Sequence, residues 1–515
     1  MALLSLMWAL WLCFSILVDS AAISSNDILN QLKSKGACCT ALQYFLPGKV
    51  VFQTDVDYLK SQKSFWSSQE QSVKPTCIVI PTSTQEVSNA VTILSIGFQA
   101  SIPGCQFAVR GGGHTPHAGA ANIQGGVTLD LQSMNSVAIA SDQQSAVLGA
   151  GNRFGNAYKP LSEQDLAMVG GRLTSVGAAG LLTGGGVSFF SGLYGLACNN
   201  IISHEVVLGN GTVVTASSTS NPTLFRALKG GGNNFGIVTS FTVKLRPQSA
   251  FWGGQITQAF TNKDAAISFM AQFARSDTYD PSAALIFTFA WVSGLPISIF
   301  HYTTYANGSA TWPPPAFAAL DAQPKLVSTV RKDKIPSFSD ELSSEAGLLK
   351  GKQNVFLTVT FVNDGGTAAE SYMKQVVELT DAVTKELLLI VGFTLTLSFQ
   401  PFPHVLYSKD AASNALGLEK YTDDLINVLY TVSWALPLDN DVVYARLQKL
   451  ELDLQSLARE KGLQNEWLYL NYAAGWQKPV QAYGTESVSF LKGVSDAYDP
   501  AKIFQKAVPG GFKLS

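Results

Sequence analysis

Of the 44 glycines in this 515-residue chain, 25 fall between Gly104 and Gly236, about twice an even share. Backbone without side chains is needed where segments bend tightly or approach another group closely, so this quarter of the chain carries an unusual constraint. The glycines come in clusters: Gly111-Gly112-Gly113; Gly149 and Gly151 with Gly155; Gly184-Gly185-Gly186; and Gly230-Gly231-Gly232 with Gly236. Any one cluster reads as an ordinary turn between short strands. Four together predict several backbone segments meeting one long ligand. The spacing Gly149-x-Gly151-x-x-x-Gly155 is a weak match to a nicotinamide-dinucleotide loop, and no acidic residue follows at the expected distance. The sharpest signal is Phe107-Ala108-Val109-Arg110-Gly111-Gly112-Gly113-His114. Three apolar residues read as the end of a buried strand, and three glycines then make a turn whose amides can converge on an anion such as a phosphate. His114 is the first nucleophilic side chain after that cradle.

Around this turn the pattern is mixed. Cys77-Ile78-Val79-Ile80 reads as a strand, Ser83 with Glu86 as a capping box, and Val87, Ala90, Val91 and Leu94 as one helical face, so residues 77–114 are expected to form a strand–helix–strand unit. After Pro247 long alternations predict strands over 283–292, 298–305, 354–362 and 389–400, with helices over 264–274 and 367–388. The fold class is therefore α+β, with a large antiparallel sheet in the second half suited to a substrate platform. Residues 312–315 and 333–344 read as loop excursions. Val443, Leu447, Leu450, Leu454 and Leu457 mark a helix with one buried face that stops at Gly462, residues 467–472 read as an aromatic-rich strand, and 486–498 as a helix.

Composition narrows the function. A hydrophobic fraction of 46%, 14% charged residues and a net charge of −2 fit large buried cores and give no footprint for nucleic acid. The uncharged apolar run from Met1 to about Val18, followed by Ser20-Ala21-Ala22, reads as a secretory signal peptide over 1–22. A secreted protein with Cys38, Cys39, Cys77 and Cys105 ahead of the glycine turn is expected to hold one or two disulfides, with the pairing open and Cys198 left free. The cysteine spacing suits no zinc site. Asn210 and Asn307 head glycosylation sequons. After signal removal no stable membrane insertion is expected.

Arg110-Gly-Gly-Gly-His114, the run from Val176-Gly177-Ala178-Ala179-Gly180 to Gly184-Gly185-Gly186, Gly231-Gly232-Asn233-Asn234-Phe235-Gly236-Ile237-Val238-Thr239, Tyr469-Leu470-Asn471-Tyr472 and Tyr498-Asp499-Pro500 stand in one order along the chain. In that order they resemble the berberine-bridge-enzyme-like branch of the FAD-linked oxidoreductases, which share the vanillyl-alcohol-oxidase or PCMH-type flavin fold, and most closely its fungal secondary-metabolism members. The resemblance covers about residues 35 to 515. It implies a two-part FAD-binding domain over 71–249 with 35–70 as lead-in, a substrate-binding domain over 250–462, and a C-terminal segment, 463–515, that returns to the FAD domain.

The same resemblance implies that FAD is bonded through His114, with Arg110, Gly111, Gly112, Gly113, Thr115, Ser175, Gly177 and Gly180 around the ring and pyrophosphate and Ile237 and Val238 at the adenine or ribose end. Many members add a second bond from a cysteine three residues before the Val-Gly pair. Leu173 stands there, so a single link is expected, with His117 as the rival attachment point. Tyr472 matches a catalytic base of plant relatives and Tyr194 a second active-site tyrosine, and Asn471 is a candidate for orienting substrate or flavin. His204, His301 and His404 carry no motif; His301 and His404 are candidates for the substrate pocket. The implied reaction is hydride transfer from a small metabolite to flavin with reoxidation by O2. A carbohydrate oxidase, or a flavin-retaining enzyme of net isomerisation or cyclisation, is the alternative.

Overall fold

The computed structural model describes residues 24–514, so the expected signal peptide lies outside the described residues. The protein is α+β, with three sheets. The first has the order Val50–Phe52, Cys77–Val79, Val127–Asp130, Phe107–Arg110, the last three strands parallel. Helix Thr84–Gln99 begins as its sequence predicts: Ser83 Oγ accepts from the Glu86 amide at 3.3 Å. The Glu86 carboxylate reaches one residue further back than a standard capping box, to the Thr82 amide at 2.7 Å, and pairs with Lys49 at 3.0 Å. Val87, Ala90, Val91 and Leu94 are buried.

The expected strand–helix–strand unit needs one correction. Its two strands do not pair; Val127–Asp130 inserts between them, in register with Cys77 on one side and Phe107 on the other. The late strand takes the central place because both of its faces and edges are buried, whereas Phe107–Arg110 stays at the sheet edge, where the glycine turn can leave the sheet.

The second sheet is antiparallel and centred on Ile237–Pro247, flanked by Ser145–Gly149 and Ile201–Val207, with Val137–Ile139 and Val213–Ser217 outermost and Leu166–Met168 on the far end of the central strand. Here the Gly149 and Gly151 cluster serves packing, not a cofactor. A Cβ on either residue would stand 2.7 Å from the carbonyl carbon of Met134 or Leu131.

The third sheet is antiparallel with nine strands, among them Phe251–Gln258, Leu295–Tyr305, Ala283–Val292, Thr394–Phe402, Leu425–Trp434 and Gln353–Val362 in that spatial order. Helices Lys263–Phe273, Thr367–Glu386 and Asn440–Glu460 form within a few residues of the predicted limits, and Val443, Leu447, Leu450, Leu454 and Leu457 are all buried. The alternation in Ala283–Val292 has a clear meaning. Leu285, Phe287 and Phe289 are buried on one face, while Ile286, Thr288 and Ala290 turn toward a large cavity on the other.

Two other expectations are corrected. Residues 467–472 are not a strand: Gln464–Asn465 pairs briefly with Thr360 and Phe361, then the chain leaves the sheet and Leu470–Tyr472 is one 3-10 turn. The aromatic alternation reflects burial of Trp467, whose Nε1 donates to Leu416 O, and of Tyr469, whose hydroxyl accepts from the Gly186 amide at 2.9 Å. Residues 333–344 are not a loop excursion, because most of them belong to helix Ile335–Gly347, which carries Leu342 and Ala346 to the cavity. The C-terminal segment does return to the glycine-rich half: Asn233 and Asn234 side chains donate to Gly510 and Phe512 carbonyls, and Gln505 donates to Asn234.

Two disulfides, Cys38–Cys105 and Cys39–Cys77, tie helix Cys38–Phe45 to the first sheet, and Cys198 is buried and free. The Cys39–Cys77 link spans 38 residues, so its removal by Cys39→Ser/Cys77→Ser releases loop entropy worth about 3–4 kcal/mol. Urea titration of that variant is expected to show this loss. Alkylation of unreduced protein is expected to label Cys198 only after denaturation.

Candidate active site

A cavity of about 1030 Å³ runs between the glycine-rich half and the open face of the nine-stranded sheet. It exceeds the roughly 300–1,000 Å³ that a drug-sized ligand needs, so it has room for a long cofactor. One wall is the turn after Phe107–Arg110. Gly113 has φ +64°, the left-handed region. Gly112 lies directly against Gly177, and a Cβ on Gly112 would stand 2.6 Å from the Gly177 nitrogen. The amides of Gly112, Gly113 and His114 donate to nothing among the described residues, although these residues line the cavity. Three adjacent unused donors on a cavity wall are an anion cradle.

Two arginines hold the cradle. Arg153, with no motif of its own, donates to Gly112 O at 2.6 Å and Ser175 O at 3.0 Å and so binds both touching backbones. Arg110 departs from the expected cofactor contact. Its side chain is fully buried behind the turn, donating to Ser61 O at 2.7 Å and Ser64 Oγ at 2.6 Å, paired with Asp130 at 3.3 Å and lying 3.8 Å from the Phe65 ring centre. The reason is the insertion of Val127–Asp130, whose last residue brings a carboxylate to it.

His114 lines the cavity with its ring stacked on Trp66 at 4.8 Å and its Nε2 3.2 Å from Ser175 Oγ. Burial and the Arg153 charge pull its pKa down to about 3, so the imidazole is neutral at physiological pH and keeps a nucleophilic lone pair. Ser175 is itself placed by Ser343 Oγ, 3.2 Å from its amide. Thr115, Leu173, Gly177, Gly180, Ile237 and Val238 also line the cavity, as does His117, whose ring lies 3.5 Å from Thr115 Oγ1. Just beyond, the buried Glu70 carboxylate accepts from the Gly119 and Ala121 amides at 3.0 and 2.6 Å and fixes the segment that follows His114.

At the sheet end of the cavity the Tyr472 oxygen accepts from Arg172 Nη2 at 2.7 Å and donates to Gln400 Oε1 at 3.2 Å. Asn471 donates to Tyr469 Oη at 2.9 Å and Leu181 O at 3.1 Å, and Gly184 makes room for it, since a Cβ there would stand 2.9 Å from its Cγ. Tyr194 is not in this group. It does not line the cavity and its ring stands 5.0 Å from the Arg246 guanidinium, because helix Ser191–Tyr194 turns it away. Of the two histidine pocket candidates, neither lines the cavity: His301 stacks on Phe287 at 4.9 Å and His404 packs on Tyr407 at 5.3 Å. His204 is buried between Phe225 and Phe241. Trp66 falls in no local pattern, and Arg153 and Arg172, although they stand within the Gly149–Gly155 cluster and beside Leu173, carry no spacing of their own that marks them as site residues.

Residues 75–217 match the family described as FAD binding domain. Over 483 residues the chain is 35% identical to the FAD-dependent monooxygenase sdcF of Emericella nidulans, covering 93% of this chain and 98% of the relative. The chain belongs to the FAD-linked oxidoreductases. Its fold matches that of berberine bridge enzyme (TM-score 0.72, 18% identity, 92% and 97% of the two chains) and of glucooligosaccharide oxidase from Acremonium strictum, whose FAD is described as 6-S-cysteinyl and 8α-N1-histidyl (TM-score 0.68, 17% identity, 92% and 97%). This is the berberine-bridge-enzyme-like, PCMH-type architecture. FAD is thus the cofactor of this oxidoreductase, and the unused amides of the glycine turn and the length of the cavity fit it.

Gly112→Ala is expected to lower the melting temperature and the bound flavin per chain, since its Cβ has no space. Gly180→Ala, whose Cβ would meet nothing within 4 Å, is expected to fold as the parent does. Burial also pushes the Glu70 carboxyl up to about 7, against the opposing amide bonds. The folded protein therefore holds this proton up to about pH 7, and the unfolded chain only to about 4.5. Its contribution is fully present below pH 4.5 and lost as pH rises through 7, up to about 3 kcal/mol. The fall in melting temperature between pH 5 and pH 8 is expected to be smaller in Glu70→Gln than in the parent.

Proposed function

We propose that this oxidoreductase is an oxidase that takes hydride from a C–H bond of a small metabolite, with Tyr472 as the base and His114 as the single covalent anchor of the flavin. The observation that carries this reading is one cavity holding the glycine cradle and neutral His114 at one end and the Tyr472 hydroxyl, set between Arg172 and Gln400, at the other. When bound, the flavin supplies the hydride acceptor.

The chain's own residues do the rest. The Gly112, Gly113 and His114 amides would hold the pyrophosphate, and Ile237 and Val238 would hold the adenosine end. Trp66 and Ser175 hold the His114 ring in one orientation, and its neutral imidazole would be the group that bonds the flavin. Leu173 offers no sulfur, so no cysteinyl bond of the kind described for glucooligosaccharide oxidase forms there. Tyr472 takes the substrate proton in its deprotonated form, with the Arg172 cation beside the phenolate oxygen, and Gln400 is the hydrogen-bond partner of its hydroxyl on the sheet. The aliphatic and hydroxyl side chains of Ile286, Thr288, Thr396 and Ser398 give a platform for a mostly apolar molecule with a few polar groups.

Reoxidation by O2 with release of hydrogen peroxide completes the cycle. The monooxygenase name of the sdcF relative favours a second reading, insertion of an oxygen atom; turnover under 18O2 separates the two, since an oxidase leaves the label in peroxide and a monooxygenase places it in product. Two disulfides and exposed asparagines in both sequons, Asn210 and Asn307, support passage through the secretory route with glycosylation.

Tyr472→Phe is expected to keep its flavin and to lower the rate of anaerobic flavin reduction about a hundredfold or more; an unchanged rate would take the base role from Tyr472. Acid-precipitated parent protein is expected to stay yellow with flavin on the His114 peptide, whereas His114→Ala is expected to release its flavin to the supernatant.

A further inference from the structure

Arg172 stands in the cavity wall without a counter-ion. It is 8% exposed, and no carboxylate pairs with it among the described residues. One nitrogen makes all of its hydrogen bonds: Nη2 donates to Gln400 Oε1 at 2.6 Å and to the Tyr472 oxygen at 2.7 Å. Nε and Nη1 donate to nothing among the described residues, yet the residue lines the cavity. The contrast with Arg110 is direct, since that fully buried guanidinium has Asp130, Ser61 and Ser64 around it.

A guanidinium stays charged in any protein environment, and a buried one left without negative charge is strongly destabilising. Such a group is retained inside a ligand cavity when the ligand supplies the charge. Its neighbours locate that ligand. Gln400 belongs to strand Thr394–Phe402 of the large sheet, and the sheet side chains that follow it into the cavity, Ser398, Thr396 and Thr288, are neutral hydroxyls. The other charged side chains of the wall outside the glycine-rich half, Glu345 and Lys352, come from helix Ile335–Gly347 and the residues just after it, not from the sheet. Among the charged side chains of the wall, Arg172 is the one bonded to Gln400.

Resting on the reading of this end of the cavity as the substrate site, we propose that Arg172 is its anion-binding group, and that the substrate carries an oxyanion, a carboxylate or an ionised phenol or enol, received at one of the unused donors of the guanidinium, Nε–H or Nη1–H. Each of these is a charge-assisted donor on its own side of the guanidinium, and its use leaves Nη2 to hold Tyr472 and Gln400 in place. Substrate choice then follows charge: an acidic molecule is bound, and its neutral isostere is left with a desolvated cation and is rejected.

The test uses the holoprotein with benzoate and its neutral isostere benzamide, titrated at pH 7 by calorimetry and by the change in the flavin visible spectrum. Benzoate is expected to bind at least tenfold more tightly than benzamide. Arg172→Gln is expected to weaken benzoate tenfold to a hundredfold with benzamide unchanged, and Arg172→Lys to recover part of the difference. A loss confined to the charged probe is not what a purely structural arginine produces. Equal binding of the two probes to the parent, no benzoate binding, or an Arg172→Gln variant with undiminished benzoate affinity overturns the proposal. Because the readout is binding and not turnover, an unchanged reduction rate in Tyr472→Phe would remove the tyrosine from its role as base and leave the benzoate result standing.

Discussion

Two stretches of bare backbone, at Gly112 and Gly177, touch with no room for a carbon atom between them, and the cofactor end of the site is built outward from that contact. Arg153 holds it closed by donating to Gly112 O and Ser175 O, one on each stretch, while Arg110 and Asp130 brace the turn from behind. The amides of Gly112, Gly113 and His114, residues of the cavity wall, are left without a partner among the described residues. An unsatisfied donor is costly when buried, so the arrangement is stable only because an anion or solvent meets those groups. His114 inherits its position from the same turn. Trp66 then stacks on the ring and Ser175 reaches its nitrogen, so the side chain is oriented by residues from two distant parts of the chain.

The far end of the cavity rests on a different principle. A β-strand sends alternate side chains to opposite faces, and the nine-stranded sheet uses this to bury Leu285, Phe287 and Phe289 on one face while presenting Ile286, Thr288 and Ala290 to the ligand on the other. Gln400 reaches the cavity by the same alternation and meets Arg172 and Tyr472, which arrive from the glycine-rich half and from the C-terminal segment. A phenol hydroxyl, a guanidinium and a neutral amide from three separated segments thereby share one small volume.

Much of this was legible locally. The run from Phe107 to His114 announced a strand, a turn and a nucleophile because apolar side chains, consecutive glycines and a histidine each have a local meaning. The Ser83 and Glu86 cap and the 443–457 stripe were equally readable, since a cap acts over one turn and a helical face repeats every three or four residues. Periodicity misled where burial and hydrogen bonding parted company. The alternating aromatics at 467–472 looked like a strand, but Trp467 and Tyr469 are buried by a chain that has already left the sheet. Tyr194 matched a motif and still points elsewhere, because the rotation of one short helix decides where a side chain goes.

The sequence by itself determined the FAD-linked family, the α+β class, the glycine turn with its histidine, and the absence of sulfur at Leu173, because each of these is a matter of residue type at a position. Only the tertiary structure decided which strand lies beside Phe107–Arg110, which cysteines join, that Arg110 is a brace, and that Trp66, Arg153 and Arg172 belong to the site. These are contacts between residues tens to hundreds of positions apart. Their energies come from packing and from the pairing of buried polar groups, which depend on position in space and leave no period or spacing along the chain.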